Sequence, residues 1–109
     1  MFKRLMRWLR TSPHVHLWQE SPETMGQLLD LLDRFLDDRL NYELEWDDFI
    51  SWKNRNPNIE LIRGRIAKLE PLFFSRLPSD RARAIELLLT ERNRAAAIIG
   101  QPPRSVPTN

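Results

Sequence analysis

The stretch SPETMGQLLDLLDRFLDDRLN, residues 21–41, constrains the fold most, because its apolar side chains recur at the spacing of an amphipathic helix. The apolar stripe consists of Met25, Leu28, Leu29, Leu32, Phe35, Leu36 and Leu40. Ser21 is a good N-cap, Pro22 suits the first helical position, and Asn41 suits a left-handed helix end. The sequence therefore predicts a helix over residues 22–40.

Two further segments show the same spacing. Residues 57–70 follow the cap Asn56, and their apolar face consists of Ile59, Ile62, Ile66 and Leu69. Residues 80–99 follow the cap Ser79, and their predicted core face consists of Ile85, Leu88, Leu89, Ala96 and Ile99. Residues 2–10 repeat the pattern with basic residues between the apolar ones. These segments predict a mostly α fold, a small helical bundle of three main helices plus a short N-terminal helix.

The segment NYELEWDDFISW, residues 41–52, fits two patterns. Its apolar and acidic residues alternate as in a strand, yet Tyr42, Trp46 and Phe49 also have the i, i+4, i+7 spacing of a helix. A lone strand cannot satisfy its own backbone, and the only other alternating segment is HVHLW, residues 14–18. We expect extended chain followed by one helical turn, with a minor two-stranded ribbon as the alternative.

The length of 109 residues predicts one domain with one core. Gly100 stands just past the predicted end of the last helix, and three prolines follow it within QPPRSVPTN. We expect residues 1–101 to form a single helical domain and residues 102–109 to be a disordered tail. The chain has no cysteine and no apolar run long enough for a secretion signal or a membrane span, so we expect a cytoplasmic protein.

Motifs for catalysis and cofactors are absent from the sequence. The three glycines are far apart, so there is no glycine-rich phosphate loop, and each serine is explained by a cap or a loop. His14 and His16 are the only histidines, which is too few for a histidine metal site. We expect a protein that is not an enzyme and binds no cofactor or metal.

The charges are divided unevenly along the chain. Residues 1–19 carry four bases and no acid, residues 20–50 carry ten acids and two bases, and residues 51–109 carry eleven bases and five acids. The net charges are therefore +4, −8 and +6. The acidic middle argues against a uniformly basic face for nucleic acid, although the pI is near 9.5.

Aromatic residues stand among these acids, which is the pattern of an interface for a basic partner protein. Tryptophan and tyrosine are common binding anchors, and neighbouring carboxylates steer a basic partner. The predicted protein-binding residues are Asp33, Asp37, Tyr42, Glu43, Glu45, Asp47 and Trp52. The first hypothesis is a small non-enzymatic protein-binding module. In size and charge alone it is similar to small helical immunity proteins and antitoxins, which block basic nuclease toxins with acidic faces.

Two alternatives remain open. The chain could bind nucleic acid or a membrane surface through the basic residues 2–10 and the basic cluster at 63–83. Strong salt dependence with a polyanion would favour that hypothesis. The acids of the middle third could instead pair internally with arginines of the last third, which would leave little free acidic surface.

Overall fold

The structure is a computed structural model that describes residues 21–40 and 42–105. These residues are mostly helical and contain no strand, which confirms the mostly α fold. The helices are α1 (Met25–Leu36), α2 (Asp47–Ser51), α3 (Pro57–Ala67), α4 (Glu70–Phe73) and α5 (Pro78–Ile98), and a π-helical turn (Tyr42–Trp46) leads into α2. The predicted helix at residues 2–10 and the segment 14–18 lie outside the described residues.

Helix α1 begins at Met25, three residues after the predicted start. The Thr24 hydroxyl accepts the Gln27 backbone N–H at 3.1 Å, and the Gln27 side chain accepts the Thr24 N–H at 3.3 Å. This reciprocal capping box satisfies donors that a cap at Ser21 would leave open. Ser21 instead donates its hydroxyl hydrogen to Asp48 at 3.2 Å.

Helices α1 and α5 end with the same chain reversal. In α5 the reversal centres on Gly100 (φ 72°), as predicted, and the Gln101 N–H reaches the carbonyl of Ala96 at 2.8 Å. In α1 it centres on Asp38 (φ 57°), so the helix stops before the predicted end at Leu40. Both ends are Schellman motifs, which satisfy helix carbonyls by turning the chain back.

Residues 42–51 are helical, so the expected extended chain is wrong for this segment. The helical spacing of its aromatic residues decides the conformation, because it puts Trp46 and Phe49 on one buried face. Trp46 is 1% exposed and stacks on Phe35 with ring centroids 4.0 Å apart. The alternative of a two-stranded ribbon therefore finds no strand in residues 42–51.

The core lies between α1, residues 42–51, α3 and α5. Its fully buried large side chains are Leu28, Leu32, Trp46, Phe49, Ile59, Ile62, Ile66 and Leu88. The predicted faces of α1 and α3 are therefore confirmed at their centres. In α5 the buried face differs from the prediction, since Ile99 is exposed while Ala84, Ala95, Glu91 and Arg92 are buried. Glu91 and Arg92 can be buried because both make ion pairs.

Candidate interaction site on the acidic face of α1

Asp33 and Asp37 lie one helical turn apart on α1, away from its leucine stripe. Asp33 is partly buried and Asp37, at the helix C-cap, is exposed. Two carboxylates at i, i+4 repel each other unless a cation stands between them. The acids therefore need basic partners from elsewhere in the fold.

Arg92 of α5 supplies the first partner. Its Nε lies 2.8 Å from Asp33 Oδ1 and its Nη2 lies 3.2 Å from Asp33 Oδ2, a two-pronged contact. Its Nη1 donates to the Asn93 side-chain oxygen at 3.0 Å. The Arg92 side chain is only 9% exposed, so α5 holds its guanidinium in place against α1.

Arg104 supplies the second partner, from the segment that follows α5. Its Nη1 lies 2.9 Å from Asp33 Oδ1 and its Nη2 lies 2.9 Å from Asp37 Oδ1, so one guanidinium joins both acids. Its backbone is also held, because its N–H donates to Asn93 Oδ1 at 3.0 Å and its carbonyl accepts from Asn93 Nδ2 at 3.1 Å. We call these residues the arginine clasp: Asp33, Asp37, Arg92, Asn93 and Arg104.

Residues 102–105 belong to the predicted disordered tail, and in the structure Pro102 and Arg104 contact α5. The reversal at Gly100 turns the chain back along α5, and Arg92 Nη1 donates to the Pro102 carbonyl at 2.9 Å. Prolines exclude regular pairing, but they leave carbonyls and a following arginine free to bond. Residues 106–109 lie outside the described residues.

The clasp holds both aspartates in their charged form. Burial raises the pKa of Asp33, but hydrogen bonds from Arg92 and Arg104 outweigh it, and the net pKa lies below the usual range. The hydrogen bond from Arg104 is the main cause that lowers the pKa of Asp37. The Asp37 carboxylate in turn raises the pKa of Arg104.

The other predicted acids that make bonds have partners different from those of Asp33 and Asp37. Glu45 pairs with Arg34, whose Nε also lies 2.9 Å from Asp30 Oδ2. Asp47 is buried, with Oδ1 3.4 Å from the Ser51 hydroxyl oxygen and a buried Oδ2 that has no hydrogen-bond partner in the part of the chain that the structure describes. Asp47 is therefore not part of an exposed acidic surface.

Trp52, Glu43 and Tyr42 complete the predicted set. Trp52 is 53% exposed where α2 gives way to the connector before α3. Glu43 is exposed in the π-helical turn, and Tyr42 is the first residue of that turn. Asp33 and Asp37 are joined through one bonded group, the Arg104 guanidinium.

The predicted basic cluster at 63–83 is divided in the structure. Arg63 forms an ion pair with Glu60 at 2.7 Å and donates to the carbonyl of Ile50, while Arg65 lies 2.9 Å from Glu91. The Arg63 contact is the main cause that lowers the pKa of Glu60 to about 2. Among the described residues, Arg76, Arg81 and Arg83 are exposed and have no acidic partner. We call these three residues the basic turn.

Arg92, Asn93 and Arg104 were not predicted as members of the site. Pairing of the acids with arginines of the last third was an open alternative, but no spacing rule relates residues 59 to 71 positions apart. One signal was present, since a glycine helix end followed by Pro-Pro-Arg indicates a chain reversal that delivers an arginine.

No protein-family model, curated protein or solved structure matches this chain. Within residues 21–40 and 42–105, no group of three or more histidine, aspartate or glutamate side chains could hold a metal ion. None of the helices described there is long and apolar enough to cross a bilayer.

Proposed function

We propose that the chain is a non-enzymatic protein-binding module of the cytoplasm, which holds a basic partner protein on the acidic face of α1. In this proposal the helices form a bundle that the N-terminal helix completes. The supporting observation is the contact of Arg104 with Asp33 and Asp37, two acids more than sixty residues away in sequence. A face that binds one guanidinium delivered by a separate segment has the chemistry to bind another.

Partner recognition on this face combines charge with an anchor. Charge-assisted hydrogen bonds between arginine and carboxylate are short and directional, so they fix the register of a partner. Asp30 and Glu43 are exposed and lie close in sequence to Asp33 and Asp37. Their negative charge speeds the approach of a basic surface. Trp52, half exposed, supplies the apolar contact that slows dissociation.

Selection from a library of displayed twelve-residue peptides against the immobilised full chain tests this proposal. Enriched peptides should contain arginine, and their binding should be lost in the variant Asp33→Asn/Asp37→Asn. The matched control is Glu23→Gln/Glu86→Gln, which makes the same change in net charge at two exposed acids outside the clasp. That control should keep most of the binding.

Kinetics on the selected peptides separate the two parts of the surface. Replacing the aspartates should slow association, most strongly at low salt, because screening already weakens the field at high salt. Trp52→Ala should speed dissociation instead. Enrichment of acidic peptides, or equal losses in the aspartate variant and its control, would contradict the proposal.

One observation favours a second candidate, binding of a polyanion through the basic turn. Arg76, Arg81 and Arg83 are exposed and have no acidic partner within residues 21–40 and 42–105, and Leu77 between them is 59% exposed. Retention on heparin that falls steeply with salt, and that Arg76→Ala/Arg83→Ala reduces, would support this function. Arg63 and Arg65 take no part in it, since Glu60 and Glu91 hold them.

A further inference from the structure

We infer that residues 101–105 are a resident ligand of the surface formed by the other clasp residues, Asp33, Asp37, Arg92 and Asn93, and that an arginine-bearing extended segment of the partner binds by taking their place. The inference rests on the proposed function, because it names the chemistry that the acidic face recognises and the way the chain controls access to it. The C-terminal segment then acts as a built-in competitor of the partner.

The surface under this segment is a built site. The Arg92 side chain is more than nine-tenths buried, yet its Nη1 points to a peptide carbonyl, that of Pro102, at 2.9 Å. The Asn93 amide bonds with both the N–H and the carbonyl of residue 104 at 3.0 and 3.1 Å. These contacts recognise backbone groups, so they do not depend on which chain supplies them.

Residues 101–105 are held by contacts that a competing segment can replace. Pro102, Pro103 and Ser105 are exposed, and only Arg104 is partly covered. Hydrogen bonds and ion pairs hold Pro102 and Arg104 against α5 and α1. Polar contacts at a surface exchange with water at little net cost, whereas a buried apolar anchor would not.

The contacts define what a competing segment must carry. It needs an arginine whose fork reaches Asp33 and Asp37, and an extended backbone whose carbonyl two residues earlier meets Arg92. Prolines before the arginine are suitable, because they favour an extended chain and bring no backbone N–H that would lose its partner. The partner class is therefore a basic protein with an exposed extended arginine segment.

Residues 101–105 compete with the partner because they are covalently attached to the end of α5. A tethered ligand has a high effective concentration, in the millimolar range for short links. The apparent affinity of a partner is reduced by the fraction of molecules whose site is open. A clasp that is closed in nine-tenths of the molecules weakens partner binding about tenfold.

The test uses the full chain and a peptide of residues 101–105, Gln-Pro-Pro-Arg-Ser, with an acetylated N-terminus and an amidated C-terminus. Binding is followed by chemical-shift titration of the Asn93 side-chain amide. The variant Arg104→Ala, which opens the charged part of the clasp, should bind the peptide about tenfold more tightly than the wild type. Arg83→Ala removes an exposed arginine from the basic turn and should bind as the wild type does.

Two controls make the result specific. A peptide whose arginine is replaced by glutamine should not bind Arg104→Ala, and adding Asp33→Asn/Asp37→Asn to Arg104→Ala should abolish binding of the original peptide. Equal affinity of wild type and Arg104→Ala would overturn the inference, as would a failure of Arg104→Ala to bind at millimolar peptide. If displayed peptides with arginine still bind through Asp33 and Asp37 in either case, the proposed function stands and only the competitor role fails.

Discussion

The arginine clasp and the basic turn both contain arginines, but the surroundings of these side chains differ. In the clasp, Arg92 and Arg104 are joined to two aspartates at 2.8 to 3.2 Å, and the Arg92 side chain is almost wholly buried. In the basic turn, three arginines are exposed and without acidic partners among the described residues. Similar numbers of acidic and basic residues therefore do not determine which of them form ion pairs. The geometry of the helices and the chain reversals determines that.

The largest expected effect is the loss of Arg92. Arg92→Ala should lower the free energy of unfolding by about 3 kcal/mol, because it leaves the partly buried Asp33 with one partner and removes a packed side chain. Arg83→Ala in the basic turn should change it by less than about 0.5 kcal/mol. Urea denaturation of both variants measures the contrast, and similar losses would mean that the clasp is no more structural than the basic turn.

A smaller loss is expected when the acids are neutralised. Asp33→Asn/Asp37→Asn should melt several degrees below the wild type, because the hydrogen bonds to Arg92 and Arg104 lose their charge. If the two acids were instead a free interface, removal of their mutual repulsion would leave the Tm unchanged or raise it. The Glu23→Gln/Glu86→Gln control should melt within about one degree of the wild type.

Acid should weaken the clasp but not the basic turn. The pKa values of Asp33 and Asp37 are lower in the folded state than the unfolded value near 3.8. Their charged carboxylates therefore stabilise the fold above pH 3.8, and this stabilisation is lost as the pH falls through the folded pKa values. Glu60 follows the same rule, and its contribution to stability is lost as the pH falls from about 4.5 to about 2. Tm measured from pH 6 to pH 2 should fall less steeply below pH 4 in Asp33→Asn/Asp37→Asn. An identical slope would contradict the assignment.

The smallest effect concerns the turn that places Asp37 in the clasp. Asp38 has φ 57°, a left-handed conformation that costs a residue with a side chain more than glycine. Asp38→Gly should therefore raise the free energy of unfolding by about 0.5 kcal/mol, whereas Gly100→Ala at φ 72° should lower it by about 1 kcal/mol. A loss in Asp38→Gly, measured by urea denaturation, would show that the Asp38 side chain stabilises the turn.

Local signals in the sequence predicted much of the fold. The stripe through Leu28 and Leu32, the isoleucines of α3 and the glycine end of α5 each follow from contacts within a few residues. The start of α1 was misplaced, because Ser21 and Thr24 both suit a cap and only Thr24 has a glutamine three residues later. Helix periodicity also explains residues 42–51, where the strand pattern fitted equally well.

The candidate site could be predicted only in part, because its bonds cross most of the chain. Asp33 and Asp37 were identified from the density of acids on one helix, which is a local property. Their partner Arg104 is 67 residues from Asp37, and its position depends on how α5 packs on α1 and on the turn at Gly100. Helix packing angles are not encoded in any spacing, so the identity of the partner required the fold.

The coupling between Asp37 and Arg104 tests the central claim most directly. The Tm of Asp37→Asn, of Arg104→Gln and of the double variant should be compared in low salt, with Asp37→Asn/Arg83→Gln as the matched control. If Arg104 closes the clasp, the double variant loses clearly less than the two single losses together, while the control pair is additive. Additive losses in both pairs would contradict the account, because they would mean that Arg104 does not hold the acidic face of α1 in solution.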